Sequence, residues 1–272
     1  MPNPVFILLP LYIWPTPGAW EPLFTAAKSH PNVDFRAIIN PWDGPGEGNC
    51  PDPAIVNATA TLNTIPNIKT LGYVHTANRY DCGPYGTWIC PCSQPLSALE
   101  SNITKYQNWP TAGCSEDNEL DIHIDGIFLD EAPADGNCSD YMNDAASFVR
   151  RTMTHGGNTV LFNAGAQVDD VYWGLADYIN VLEDTEAAYY RADIGALDGQ
   201  GVYHEQSTMI IHSYTDGEEV LRRDVDTILN RRHDAMAGVF ISDLNVYNRF
   251  PENWEAFVDA VETVMEANMD LD

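Results

Sequence analysis

Short apolar runs recur along the chain, spaced too widely for hairpins and far enough apart to hold a helix between neighbours. Val5 to Leu9, Phe35 to Asn40, Lys69 to Thr76, 127 to 129, Asn158 to Phe162, Tyr178 to Leu182, Thr208 to Ile211 and Gly238 to Ile241 form the set. Brief apolar runs bounded by turn-forming residues read as strands buried on both faces. The first is closed by Pro10, a residue that cannot donate to a ladder. Helical spacing predicts a helix from near Gly18 through Trp20, Leu23, Phe24 and Ala27, and others over 53 to 64, Ser97 to Gln107, Ser139 to Thr154, 218 to 233 and 252 to 267. In the last of these, Trp254, Phe257, Val258, Val261 and Val264 share one face. Ser97-Ala-Leu-Glu100 matches a capping box. Asn40-Pro-Trp-Asp-Gly-Pro-Gly46 and the insert from 77 to 96 are too rich in Gly and Pro to continue either kind of element. Strands alternating with helices predict a parallel sheet, and eight strands close a barrel. The expectation is α/β, a (β/α)8 TIM barrel in one domain over residues 1–272, with a disulfide-rich βα loop insert after strand three.

In such a barrel the C-terminal ends of the strands share one rim, where the βα loops build the site. The residues at those ends are Tyr12, Asn40, His75, Asp130 with Glu131, Asn163, Glu183, His212 and Asp243. Packing alone does not call for a polar group at every one of them. Asp130 and Glu131 follow the apolar Ile127-Phe-Leu129, and Asp130 is also a candidate cap for the next helix. If the strand stays regular, the two acids point to opposite faces, one to the barrel axis and one supporting it. Aromatic residues crowd the same rim: Tyr12, Trp14, Trp42, Tyr73, Trp88, Tyr189, Tyr214 and Tyr247. Flat rings around a polar cleft suit the apolar faces of sugars, and they serve equally as loop packing. Glycosidic cleavage needs two carboxyl groups flanking the anomeric carbon. Strands four and six supply them in Asp130, Glu131 and Glu183, with Glu186 one turn later as a fallback.

Composition narrows the choice. Lys and Arg number 13 against 40 Asp and Glu, a formal charge of −27. That field repels phosphate backbones and anionic membrane surfaces, so nucleic acid is not an expected partner; it favours a neutral or cationic ligand, and it equally suits a soluble protein in an acidic medium. All six cysteines lie between Cys50 and Cys138 (with Cys82, Cys90, Cys92 and Cys114), a pattern that predicts disulfides with 15 possible pairings. Cys90-Pro-Cys92 lacks a second Cys or His pair at zinc spacing. The sequons at Asn57, Asn102 and Asn137 add to an expectation of secretion or cell-surface location. Residues 1 to 10 do not read as a signal peptide, so an exported protein is expected to have lost its signal already. No run of ~18 apolar residues predicts a membrane span. No glycine-rich nucleotide fingerprint, Walker loop or Gly-x-Ser-x-Gly elbow is present.

Five stretches together carry a family resemblance: Leu9-Pro-Leu-Tyr-Ile-Trp-Pro-Thr-Pro-Gly-Ala-Trp20, Ile39-Asn-Pro-Trp-Asp-Gly-Pro-Gly46, Leu71-Gly-Tyr-Val-His-Thr76, Gly126-Ile-Phe-Leu-Asp-Glu131 and Asn163-Ala-Gly165. From about residue 5 to 265 the chain resembles the spherulin-four (spherulation-specific) family, whose characterised fungal members hydrolyse the exopolysaccharide galactosaminogalactan. The resemblance implies a (β/α) barrel and endo-cleavage of α-1,4-linked N-acetylgalactosamine stretches. It also implies functional acids at Asp130, Glu131 and Glu183. The family usually reads Phe-Glu at the last position; here it is Leu182-Glu183, followed by Glu186, and both glutamates stay candidates. Tyr12, Trp14, Asn40, Trp42, His75, Asn163, His212, Tyr214 and Asp243 are expected sugar contacts. No cofactor or metal is expected, and the protein is expected to act as a monomer on a polysaccharide of N-acetylgalactosamine or galactosamine. Two rivals remain: a metal-dependent polysaccharide deacetylase, and a non-catalytic carbohydrate-binding or spore-coat barrel.

Overall fold

The computed structural model describes residues 5–77, 90–115, 119–233 and 235–269. The strands are β1 (Phe6–Leu11), β2 (Asp34–Ile39), β3 (Ile68–His75), β4 (Gly126–Asp130), β5 (Thr159–Asn163), β6 (Tyr178–Thr185), β7 (Ser207–His212) and β8 (Gly238–Ile241). All neighbours pair in parallel, and β8 returns to β1 to close the barrel in chain order. Around it lie α1 (Glu21–Ser29), α2 (Pro53–Asn63), α3 (Leu96–Asn108), α4 (Ser139–Thr152), α5 (Glu186–Tyr189), α6 (Ile194–Leu197), α7 (Glu218–Leu229) and α8 (Trp254–Met269). The helical layer is thin on one side. After β5 there is only a 3-10 turn, Asp170–Tyr172, and after β6 only the four-residue α5 and α6 and a 3-10 turn, His204–Gln206.

Two boundaries differ from expectation for physical reasons. β1 runs through Pro10 to Leu11. The Phe6 N–H bonds Ala237 on the β8 side, and in a parallel strand alternate residues face the same neighbour, so Pro10 faces β8 as well. Pairing with β8 has ended by then, at Ile7 opposite Val239, so the missing N–H leaves no rung broken. The capping box at Ser97 is not formed. Pro95 is the N-cap of α3 and its carbonyl accepts from Ala98 and Leu99, while Glu100 reaches Arg151 at 3.4 Å.

The interior is filled, not hollow. At its lower end, Arg36 from β2 crosses to lie 4.3 Å from the Phe6 ring centroid and 4.6 Å from that of Tyr178, and donates to the Tyr178 hydroxyl. The cation lies over aromatic faces, an attractive arrangement, and the side chains shut that end. Above it Phe128 stacks on Tyr73. On the outer face Gly72 is required by close approach: a Cβ there would stand 2.8 Å from the Tyr106 ring, whose hydroxyl donates to the Ile39 and Tyr73 carbonyls.

Cys50 and Cys114 form a disulfide joining the βα2 loop to the segment after α3, and Cys90 is also disulfide-bonded. Cys92 and Cys138 are free thiols in mutual contact. Cys82, Trp88 and most of the insert lie outside the described residues. No described helix is long and apolar enough to cross a membrane.

Below the sheet, His123 contacts Asp125 and Asp121. Its hydrogen bond to Asp125, helped by that to Asp121, outweighs burial and raises its pKa from 6.5 to about 9. A cation favoured by the folded state adds stability that is full below the unfolded value, near 6.5, and is lost as pH rises through about 9. Urea midpoints should therefore fall across that window, and His123→Gln should flatten the fall.

Candidate active site

Each acid reaches the rim by a different backbone device. β4 ends at Asp130, and the next residue, Glu131, adopts φ +56°. A left-handed non-glycine residue costs about 1–2 kcal/mol, and Thr76 helps hold it there: its hydroxyl donates to the carbonyls of Asp130 and Glu131. The alternation expected of a regular strand is thereby broken. Glu131 swings beside His75, its Oε2 at 3.2 Å from Nδ1, while Asp130 stays half-buried at the mouth.

β6 carries a bulge. Asn180 pairs with Thr208, but Leu182 already pairs with Met209, so Val181 is extra. In a regular strand positions 180 and 183 would face opposite ways; one inserted residue puts both on the interior face. The Asn163-Ala-Gly165 turn clasps the bulge, because the Gly165 N–H bonds the Asn180 carbonyl and the Gly165 carbonyl accepts from the Glu183 N–H. Gly165 has φ +61°, and a Cβ on it would meet the Glu183 Cβ at 3.3 Å.

One amide joins the two acids. Asn163 Nδ2 donates to Asp130 Oδ1 at 2.6 Å and to Glu183 Oε2 at 2.7 Å. Those oxygens are no further apart than the two bonds laid end to end, about 5.3 Å. Tyr73 adds a 2.5 Å hydrogen bond to Asp130 Oδ2, and Tyr247 donates to Glu183 Oε1 at 2.9 Å. The Tyr12 ring lies edge-on to both tyrosines. Burial raises the Asp130 carboxyl above its ordinary value, against the lowering influence of Tyr73 and Asn163. Burial, then the neighbouring Asp130 charge, raises Glu183. Two desolvated acids this close do not ionise as readily as separate ones, so the pair retains a proton to higher pH than either would alone in water.

The structure brings Tyr12, His75, Asp130, Glu131, Asn163 and Glu183 into this cluster. Glu186 is occupied elsewhere, accepting from the Thr215 N–H and hydroxyl and from the Asp216 N–H. Tyr214 is buried and gives its hydroxyl to Asp224. Asp243 holds Arg249 and the Glu252 N–H, and Asn40 accepts from the Gly44 N–H within its own loop. His212 contacts Ser213, and burial lowers its pKa. Trp14 and Trp42 stand exposed on the βα1 and βα2 loops, Trp42 at 78%. The hydroxyl roles of Tyr73 and Tyr247 were not legible, since both read as sugar-stacking rings. Asn180 was missed as well, although a lone amide inside an apolar strand was the available signal.

His75, Asp130 and Glu131 offer ligand atoms within 4.8 Å of one another, a spacing open to a divalent cation. The same atoms are already engaged: His75 Nδ1 with Glu131 and the Tyr73 hydroxyl, and Asp130 with Tyr73 and Asn163.

A closed eight-stranded barrel with such a pair of acids at its C-terminal mouth defines a carbohydrate-active enzyme of the glycoside hydrolase type. Its sequence matches the spherulation-specific family 4 profile over residues 6–261, and the chain belongs to that family. Among solved structures it is similar to Sph3 from Aspergillus clavatus in complex with GalNAc, at 30% identity, with 96% of this chain and 98% of that one covered and a TM-score of 0.80. The fold is shared by an endo-1,4-beta-mannanase from Rhizomucor miehei, at 11% identity, 98% and 95% coverage and TM-score 0.59. It is also shared by a chitinase from Bacteroides thetaiotaomicron, at 12% identity, 96% coverage of both chains and TM-score 0.55. No curated protein sequence matches this chain.

Proposed function

We propose that this protein is a secreted, endo-acting glycoside hydrolase that cleaves α-1,4-linked N-acetylgalactosamine stretches of a galactosaminogalactan-type exopolysaccharide. The observation that carries the reading is the Asn163 amide shared between Asp130 and Glu183, which holds two acids close enough to act on one linkage. The GalNAc bound by the similar Sph3 structure supports the choice of sugar.

In an α-linked N-acetylhexosamine the 2-acetamido group lies on the same face as the leaving oxygen, so it cannot displace that oxygen from behind. A protein carboxylate must be the nucleophile if the outcome is retaining. A limit of about 5.3 Å between the facing oxygens is compatible with the ~5–5.5 Å carboxyl separation of retaining enzymes. Asp130 attacks the anomeric carbon while Glu183 gives its proton to the leaving oxygen. Glu183 then takes a proton from water, whose oxygen displaces Asp130. Glu131, braced by His75, orients Asp130 or contacts substrate. Trp14 and Trp42 offer exposed rings along the polymer.

Galactosaminogalactan incubated with the protein should yield new reducing ends and oligosaccharides, with chitin and simple galactans untouched and a chelator without effect. The deacetylase reading draws on the His75, Asp130 and Glu131 cluster; it requires acetate release that chelation abolishes, with polymer length unchanged. Absence of both products would leave a binding barrel.

A further inference from the structure

Asn163 is useful to the two acids only one way round. Its amide has a donor end and an acceptor end of nearly the same shape, and the carboxyl groups hold it less firmly one way round as they take up protons. The row behind it supplies the missing constraint. Asn163, Asn180 and Thr208 are register partners across β5, β6 and β7, and Asn180 and Thr208 are fully buried. Asn180 Nδ2 donates to Asn163 Oδ1 at 2.7 Å, and the Thr208 hydroxyl donates to Asn180 Oδ1 at 3.3 Å. All hydrogen bonds in the row run in one direction, from the hydroxyl to the carboxyl pair. Reversing Asn163 would set its NH2 against that of Asn180 and its carbonyl against Asp130 and Glu183.

We infer that Asn180, backed by Thr208, is a positioning residue that locks the Asn163 amide with its donor end toward Asp130 and Glu183. Asn180 gives its amide to Asn163 and acts on the acids through it. The bulge at Val181 lets one strand supply both this lock and Glu183 to the same face. The ionisable groups around the pair are Tyr12 from the end of β1, Tyr73 and His75 from β3, Glu131 after β4 and Tyr247 after β8. The hydrogen bonds from Thr208 to Asn180 and from Asn180 to Asn163 are the route by which changes at those two positions reach the acids.

The catalytic consequence rests on the proposed hydrolase reading; the effect on the acids' ionisation does not. Two near-isosteric variants test it: Asn180→Leu removes the donor to Asn163, and Thr208→Val removes the donor that orients Asn180. Carboxyl-carbon NMR titrations of Asp130 and Glu183 should move to higher pH in each folded variant, because an amide free to turn no longer favours the ionised forms. On the polymer, kcat should fall about 10- to 100-fold in Asn180→Leu and a few-fold in Thr208→Val, with KM little changed, as expected when reacting groups lose alignment. Thermal melts verify folding, and Thr208→Val keeps the test open should Asn180→Leu not fold. Carboxyl titrations that match the unaltered protein in a folded variant overturn the inference, whatever happens to the rate. If the titrations move but the unaltered protein hydrolyses no polymer, the hydrolase reading fails and the positioning role stands.

Discussion

Asp130→Asn and Glu183→Gln should each lower kcat on the polymer by about 10³-fold or more while raising the melting temperature at neutral pH. The loss of rate follows from deleting a nucleophile or a proton donor, the latter alone contributing about 10²–10⁴-fold. The gain in stability follows from the direction of the pKa shifts. Both carboxyls are raised above their ordinary values, chiefly by burial. A raised acid is one whose protonated form the fold prefers, so its contribution is most favourable below the unfolded value and is lost as pH rises through the folded value. At neutral pH, above the ordinary carboxylate range, burying the pair therefore costs stability, and a neutral amide of the same shape relieves that cost. The melting advantage should shrink toward zero as the pH is lowered through the ordinary carboxylate range. Each 1 kcal/mol relieved corresponds to about 2–4 °C for a chain of this size. Melting curves at several pH values, run beside rate assays, check both halves. A variant that keeps near-normal activity removes that residue from the chemistry.

Gly165→Val should damage stability and turnover together. The site combines a left-handed backbone with a 3.3 Å approach to Glu183 Cβ, and its N–H and carbonyl straddle the β6 bulge. A branched side chain in that conformation costs about 1–2 kcal/mol, and crowding a packed site costs typically about 1–3 kcal/mol more. Urea unfolding should show a loss of about 2–5 kcal/mol, and kcat should fall about 10²-fold because Glu183 is pushed off line. Gly165→Ala should show the same pattern at smaller amplitude. A Gly165→Val protein as active as the unaltered one would separate the turn from the placement of Glu183.

Much of this architecture could be read from residue order. Eight apolar runs, each ending on a polar residue, contain the barrel, its closure and the rim at which the polar side chains gather. Where the reading stopped, the cause is that neighbours in space were decisive. Pro10 ends a strand by local rules, yet the place where β8 stops pairing lets β1 continue. The Val181 bulge has no sequence signature, and without it Glu183 would be assigned to the wrong face. Asp130 and Glu131 look like alternating residues until the φ of Glu131 turns the chain. Glu186 and Glu183 are equivalent candidates by position; only the loop at 215–216 occupies one of them. Tyr73 and Tyr247 advertised ring faces, but their hydroxyls are what meet the acids.

The aromatic and guanidinium cluster of Phe6, Arg36 and Tyr178 has a bearing on traffic. With the floor stoppered, no strand of sugar can thread through the molecule. Whatever reaches Asp130 and Glu183 must arrive and depart by the rim where the strands end. On the proposed hydrolase reading, both fragments of a cut chain leave by that one mouth.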